Sequence, residues 1–465
     1  MIVINALRIL AVISRYQILT HAGEINVPLK IKVVGKLLEL FFYPIGSFRK
    51  PRKNFGDRLA RCFRKLGPIY IKLGQTLSTR PDLVGENVAN ELKYLQDQLP
   101  PFSGELAKNI ISKSLKKSTD ELFLSFDNAA VAAGSISQVH KAKLHDGTDV
   151  AVKVLRPNIY KKYNNDIKLL YSFARISNKL FKKIKRLKPV EVIELFETTM
   201  KQELNLKLEA AAASELADNF ALDKEVYIPK PYWQYVTEEV LVIEWVDGIS
   251  IYDTKKLVKA GLNPLEISKK IAIMFFNQAY RDGFFHADLH PGNIFVKDSG
   301  IIVLIDFGIM GRLKERDRLA VAEILAAFLS RDYKQVADIH IRVGYVPKKT
   351  DPYVFAQNCR AVCEPIIGLA IKDISIGKLL LQLFRITEEF GMETQSQLLL
   401  LQKTMVIVEG IGQSLNPNIN MWELAEPWIK KWGAKNISPE AKILRVVKKM
   451  VTDFIEEHHR NNGGV

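Results

Sequence analysis

Residues 123–157, FLSFDNAAVAAGSISQVHKAKLHDGTDVAVKVLRP, alternate apolar and polar side chains with the period of half-buried strands, in a chain whose other long segments repeat at helical spacing. His145-Asp146-Gly147 is a hairpin signal, because Gly accepts the backbone angles of a tight turn. A short β-rich block set among helices restricts the chain to an α+β architecture with its strands grouped together. Residues 1–120 read as helices broken by Pro and Gly at 44–46, 51–56, 67–68 and 100–104. A long helical stretch is predicted over about 158–221, from apolar residues at 192, 193, 196, 200, 204, 208, 212 and 216. Two strands follow within 226–248, and a helix over 264–285 runs into HADLHPGN (286–293). NIFV and IIVLIDFG read as strands around the turn KDSG, and the chain is helical beyond about 314. Three regions result: a helical extension (1–120), a β-rich lobe with one long helix (121–248), and a large helical lobe (249–465).

The 465 residues suffice for two lobes with their own cores. A composition 48% apolar and 25% charged is that of a folded globular chain. The net charge of +16 is uneven: residues 1–65 hold 13 Lys or Arg against 3 Asp or Glu, and KLFKKIKRLK (179–188) adds six cations. Nucleic acid is a poor partner for this charge, since no zinc-finger spacing, aromatic RNA-binding strand or recognition helix is present. In MIVINALRILAVISRYQIL and LKIKVVGKLLELFFYPIGSF the basic residues are interleaved with bulky apolar ones, as in interfacial helices on anionic lipid. Arg8 and Arg15 interrupt the first as a membrane span, Lys36 and Glu39 the second. The N-terminus lacks the basic region and cleavage site of a signal peptide, so it is expected to be retained. Three cysteines make no disulfide framework, and Cys359 and Cys363, four apart on a predicted helix, read as core thiols rather than metal ligands.

HADLHPGN alone suggests a metal site, since His and Asp are common ligands. That reading explains residues 286–290 and nothing else. DVAVKVL places Lys153 on a strand, and the small-residue loop AAVAAGSISQVH just upstream can bring backbone amides to phosphate oxygens. The helical stretch offers Glu203 and Glu209 as carboxylate partners for a buried lysine. Asp288 is followed five residues later by Asn293, and Asp306 heads a DFG at the end of an apolar strand. A strand lysine, a helix glutamate, Asp-x4-Asn and DFG stand in the order used for phosphoryl transfer by protein kinases. Four weak signals in the correct order on the right elements outweigh the metal reading.

The chain resembles the UbiB family of atypical kinases of isoprenoid-quinone biosynthesis from about residue 55 to 425. The resemblance rests on KLGQ (72–75), AAGSISQVH (132–140), AVKVLRP (151–157), QELNLKLEAA (202–211), FFHADLHPGNIFV (284–296) and IDFG (305–308). It implies a bilobal kinase-like fold and an ATP-binding, Mg²⁺-dependent enzyme that supports ubiquinone synthesis. Lys153 would contact the phosphates and pair with Glu209, Asp288 would be the base, and Asn293 and Asp306 would hold Mg²⁺. The loop residues Ala130, Ala132, Ala133, Gly134, Ser135, Ile136, Ser137 and Gln138 would line the nucleotide, and His286 would be a packing residue. Lys72 and Gln75 of the KxGQ motif would lie against the family's acidic ExD motif, implying regulation.

The sequence departs from that pattern at Asn205 and at its C-terminal end, and from ordinary protein kinases after IDFG. Glu203 is followed by Asn205 where the family has a second acid, so a Lys72–Asn205 contact would be a hydrogen bond and not an ion pair. No APE follows IDFG and a helix is due within about eight residues, which leaves little room to seat a peptide substrate. Bacterial members end in paired transmembrane segments, and none is evident here. Peripheral attachment to the cytoplasmic face of a bacterial inner membrane would then fall to the basic N-terminal helices. Quinone-pathway lipids or enzymes are the further partners the resemblance implies. Two other functions fit the loop: a small-molecule kinase of the aminoglycoside or choline type, and a nucleotide-binding, lipid-handling scaffold with little catalysis.

Overall fold

The computed structural model describes residues 2–21, 29–42, 54–78, 84–92, 95, 99–180, 189–367, 382–383, 386, 389–392, 395–417 and 421–436. The breaks predicted at 44–46 and 51–53, most of the basic run at 179–188 and the residues after 436 lie outside them. The chain forms two compact units: residues 1–214 with 229–245, and 215–228 with 246–465.

The elements used below are, in chain order, α1 (Ile2–Arg15), α2 (Leu29–Phe42), α3 (Phe55–Leu66), α4 (Pro68–Ser78), α5 (Gly104–Leu115), β1 (Ser125–Phe126), β2 (Ala132–Ala133), β3 (Ser137–Lys143) and β4 (Asp149–Leu155). Then come α6 (Ile159–Leu180), α7 (Pro189–Glu203), α8 (Leu206–Asn219), β5 (Val226–Tyr227), β6 (Val240–Glu244), β7 (Ile249–Ser250), α9 (Pro264–Phe276), β8 (Phe284–His286), β9 (Ile294–Val296), β10 (Ile302–Leu304) and β11 (Met310–Arg312). The C-terminal part holds α10 (Glu315–Leu329), α11 (Tyr333–Arg342), α12 (Pro352–Ile367) and α13 (Ser396–Leu415). Grouped strands among many helices make the class α+β, as the periodicity predicts.

In the first unit the sheet runs β1-β3-β4-β6 with β2 on β3, all antiparallel. The expected turn joins β3 to β4: Leu144 N donates to Thr148 O at 2.9 Å, and Gly147 sits at φ +89°. Val150, Val152 and Val154 are buried with Ile111, Val240 and Val242. Side chains alternate along a strand, so Lys153 points to the opposite face.

Among the described residues the predicted long helix over 158–221 is three helices, α6 to α8. Residues 204–205 break it because Leu206 N leaves the helical pattern to donate to Glu238 O at 3.0 Å, while Asn205 Oδ1 accepts from Lys207 N at 3.1 Å. The predicted apolar spacing does not carry through the break: Leu206 and Ala210 join Phe196, Met200 and Leu204 in one core, whereas Leu208, counted in that spacing, is half exposed. Glu203 and Glu209 therefore lie on separate helices.

In the second unit β10 runs parallel to β5 and antiparallel to β9, which pairs with β7. β8 and β11 form a separate ribbon. The helix predicted over 264–285 ends at Phe276; a wider π-helical turn, Asn277–Asp282, leads into β8, so Phe284 and Phe285 are strand residues. Among the described residues one helical segment, Gln397–Leu415 in α13, is long and apolar enough to cross a membrane, and 56% of it is buried within the chain.

His340 on α11 is buried beside Tyr345 and Phe355, and its Nδ1 donates to Val336 O at 2.7 Å. Burial lowers its pKa to about 4. The folded state holds it neutral while the unfolded chain protonates it near 6.5, so acid favours unfolding. Its contribution, on the order of 3 kcal/mol, is complete above about pH 6.5 and lost as pH falls toward about 4. Thermal unfolding between pH 7 and 4.5 checks this: the midpoint should fall more steeply for the wild type than for His340→Gln.

Candidate active site

Lys153 on β4 and Glu209 on α8 meet inside the first unit. The ammonium donates to both carboxylate oxygens, at 2.7 and 2.9 Å, with the side chains only 14% and 6% exposed. An ion pair that dry is costly unless its geometry is good, and this one is bidentate. On the preceding helix Glu203 takes a second lysine, Lys72 of α4, at 2.9 Å. The expected Lys72–Asn205 hydrogen bond is thus replaced by an ion pair to Glu203, two residues earlier, because Asn205 is spent on capping α8. Gln75 donates to Leu95 O at 3.2 Å, which ties the same helix to the chain after it.

The small-residue loop folds as the β2–β3 hairpin. Ala130, Ala132, Ala133 and Gly134 retain surface, whereas Ser135, Ile136, Ser137 and Gln138 are buried. For Gln138 this corrects the expectation of a nucleotide-lining side chain: its oxygen accepts from Phe102 N, and its nitrogen contacts Phe102 O and His140 Nε2. Those partners cross to a segment 36 residues upstream, so no local pattern announces them. Arg156 clamps the hairpin tip, donating to Gly134 O from Nε at 3.1 Å and from a terminal nitrogen at 2.7 Å.

Within the second unit HADLHPGN forms a compact loop. His286 is completely buried; its Nε2 donates to Ile305 O at 3.0 Å and its Nδ1 accepts from Asp288 N at 3.2 Å. Burial lowers its pKa, and the two bonds define a neutral ring tethering Asp288 to the residue before Asp306. His290 Nδ1 accepts from Gly292 N, and its Nε2 contacts the Tyr252 hydroxyl at 3.0 Å. Both histidines are therefore scaffolding. Asn293 Nδ2 donates to Asp288 O at 3.0 Å, which fixes the amide side chain against the loop. Asp306 has φ +62°, a left-handed conformation that Asp tolerates better than most residues and that often marks a functional turn. Among the described residues no group of three or more His, Cys, Asp or Glu is gathered to hold a metal. Cys359 and Cys363 are fully buried free thiols, Cys363 with its pKa pushed up to about 12 by burial.

One contact escaped the sequence reading. Lys403 on α13 donates to Asp288 Oδ1 at 3.0 Å. Its only local signal is a cation inside the apolar run LLLLQKTMVIV.

An ABC1 atypical kinase-like domain matches residues 94–340, and a UbiB helical domain matches 359–420. A probable protein kinase UbiB from Marinobacter nauticus is 43% identical over 454 residues, covering 97% of this chain and 82% of that protein. A protein of the same name from Pseudomonas aeruginosa is 40% identical over 439 residues, covering 93% and 82%. The solved Rv3197–erythromycin complex from Mycobacterium tuberculosis has a TM-score of 0.53 at 21% identity over 85% of this chain and 97% of that one, a likeness of fold. On these matches the chain belongs to the UbiB family of ABC1 atypical kinase-like proteins, whose name ties it to ubiquinone biosynthesis.

Proposed function

We propose that the chain binds ATP with Mg²⁺ and cleaves its terminal phosphate at a membrane surface, in support of ubiquinone biosynthesis. The bidentate Lys153–Glu209 pair carries this reading: an aligned, nearly dry ammonium is what kinase-type sites hold against α- and β-phosphates. The surface-facing Ala130–Gly134 part of the hairpin would approach the same phosphates, but Val131 N and Gly134 N already donate to Val139 O and Ser137 O, and Cβ atoms at Ala132 and Ala133 limit how closely the backbone comes.

The donor set suits magnesium. Asn293 and Asp306 offer oxygen ligands, and both loop histidines are engaged elsewhere, so a hard cation that keeps several waters fits better than zinc. Mg²⁺, when bound, supplies charge neutralisation on the phosphates. Asp288 accepts the proton of the acceptor hydroxyl as its oxygen bonds to the γ-phosphorus. The β–γ bridging P–O bond breaks and its electron pair leaves with ADP. With water as acceptor the products are ADP and inorganic phosphate. Peptide acceptors are disfavoured, because β11 pairs with β8 and α10 begins at Glu315, which leaves no long segment after Asp306.

We read residues 1–120, 121–248 and 249–465 as the extension, nucleotide lobe and helical lobe of this machine. The Lys72–Glu203 ion pair and the Gln75 bond to Leu95 O would fasten the KxGQ helix as a regulatory latch, which Asn205 supports only by capping α8. On α2 the exposed Val33, Leu37, Leu40 and Phe41 form an apolar stripe beside exposed Lys36, the composition of a helix lying on anionic lipid. The cytoplasmic face of a bacterial inner membrane is where such a helix and an ATP site would both be served.

Phosphate release from Mg²⁺-ATP, measured with and without vesicles containing phosphatidylglycerol, tests the proposal. The wild type should turn over, faster with the vesicles, and Asp288→Asn should be slower by about 10²–10⁴-fold. Equal, negligible release by both proteins would overturn it. Lipid-independent transfer to a soluble hydroxyl acceptor would replace it with a small-molecule kinase.

A further inference from the structure

The loop that carries Asp288 continues Leu-His-Pro-Gly before Asn293 and contains neither Lys nor Arg. A carboxylate acting next to a polyphosphate repels it, and charge on the phosphoryl oxygens must be matched during transfer by nearby cations. His290 does not answer this need, because both of its ring nitrogens are engaged within the loop and by Tyr252.

Lys403 stands where that cation is missing, 3.0 Å from Asp288 Oδ1 and 115 residues away in sequence. The two side chains are 34% and 37% exposed, so the pair is reachable rather than sealed into the core. Exposure also makes it a weak structural tie, since surface ion pairs contribute little to stability. The helix holding Lys403 is otherwise committed to packing: Leu401, Met405 and Val408 are buried, and the buried Thr404 hydroxyl donates to Leu400 O. Its first turn is fixed by Gln397, whose side-chain oxygen accepts from Arg312 N of β11. β11 pairs with β8, the strand that ends two residues before Asp288. Lys403 and Asp288 thus hang from one frame within the second unit.

We propose, building on the ATP reading above, that Lys403 is a further residue of the phosphoryl-transfer site, delivered by the helical domain. It holds the Asp288 carboxylate toward the acceptor hydroxyl. Its ammonium, on a four-carbon stem with three rotatable donors, then neutralises the γ-phosphate oxygens. In that step the acceptor oxygen bonds to phosphorus, the bridging P–O bond breaks onto ADP, and the acceptor proton passes to Asp288. Helix α13 of the helical domain is on this account part of the site and not an accessory.

The test is steady-state Mg²⁺-ATP hydrolysis by the full chain with vesicles, comparing wild type, Lys403→Met and Lys403→Arg. ATP-induced thermal shift serves as the folding control. Lys403→Met should lower kcat by about 10²-fold with KM for ATP within about threefold, because the interaction is made chiefly in the transition state. Lys403→Arg should recover most of kcat while the thermal shift stays intact in both variants. If Lys403→Met does not fold, Lys403→Gln carries the same comparison. Full kcat without the cation, or loss of thermal shift and kcat together in every variant, would overturn the proposal while wild-type turnover leaves the ATP reading standing. A wild type that hydrolyses no ATP removes both.

Discussion

A Lys153→Met variant is expected to lose its ATP-induced thermal shift and about 3–5 kcal/mol of stability, because removing one partner of a buried ion pair strands the other. Glu209 is 6% exposed, and both of its carboxylate oxygens accept from the Lys153 ammonium, at 2.7 and 2.9 Å. Met keeps most of the stem volume, so the loss reports charge rather than packing. A double variant, Lys153→Met with Glu209→Met, should regain much of the stability, since an apolar pair of similar size replaces the buried ions at little net cost. It should not regain nucleotide binding. Urea unfolding and nucleotide-induced thermal shift separate the two effects. If the double variant regained the nucleotide shift, the pair would be structural and the phosphate contact would lie elsewhere.

Gly311→Val is expected to damage turnover more than stability. A Cβ at Gly311 would stand 2.1 Å from Phe285 Cζ and within 2.6 Å of two further ring atoms. Phe285 is completely buried and paired directly across the ribbon from Gly311, so the ring has no solvent to move into. Overpacking of this kind costs about 1–3 kcal/mol per inserted group, paid as a shift of the backbone. The strand that must shift carries His286, whose two ring nitrogens hold Asp288 N and Ile305 O. Turnover should therefore fall by well over the factor expected from the loss of folded protein. Trimming the ring with Phe285→Leu in the same chain should restore part of both. Unchanged kcat in Gly311→Val, with the melting temperature lowered, would show that β8 does not position Asp288.

Much of this was legible in the order of residues. The β3–β4 hairpin follows from alternation and a Gly turn, β9 and β10 from apolar runs around KDSG, and the family from six short motifs. Lys153, Asp288, Asn293 and Asp306 were named from the types and order of residues, and the resemblance to the family chose Glu209 over Glu203; the Lys153–Glu209 pair is now seen at hydrogen-bond distance. The break at 204–205 was not legible, because the partner that draws Leu206 N out of the helical pattern, Glu238 O, belongs to another segment, and it shifts the buried positions from the predicted Leu208 to Leu206 and Ala210. Nor was the inward turn of Gln138, whose partner at Phe102 belongs to another segment.

The amino-acid order by itself determined what is local: which stretches are strands, where the turns fall, and which carboxylates and amides share the Asp288–Asn293 loop. Periodicity and turn chemistry act over a few residues and leave their mark there. Only the tertiary structure decided which ions pair. It gave Lys72 to Glu203 rather than Asn205, spent both histidines of HADLHPGN on backbone, and brought Lys403 to Asp288 across 115 residues. A charge chooses its partner by distance and burial in the folded chain, and neither is written in the neighbouring residues.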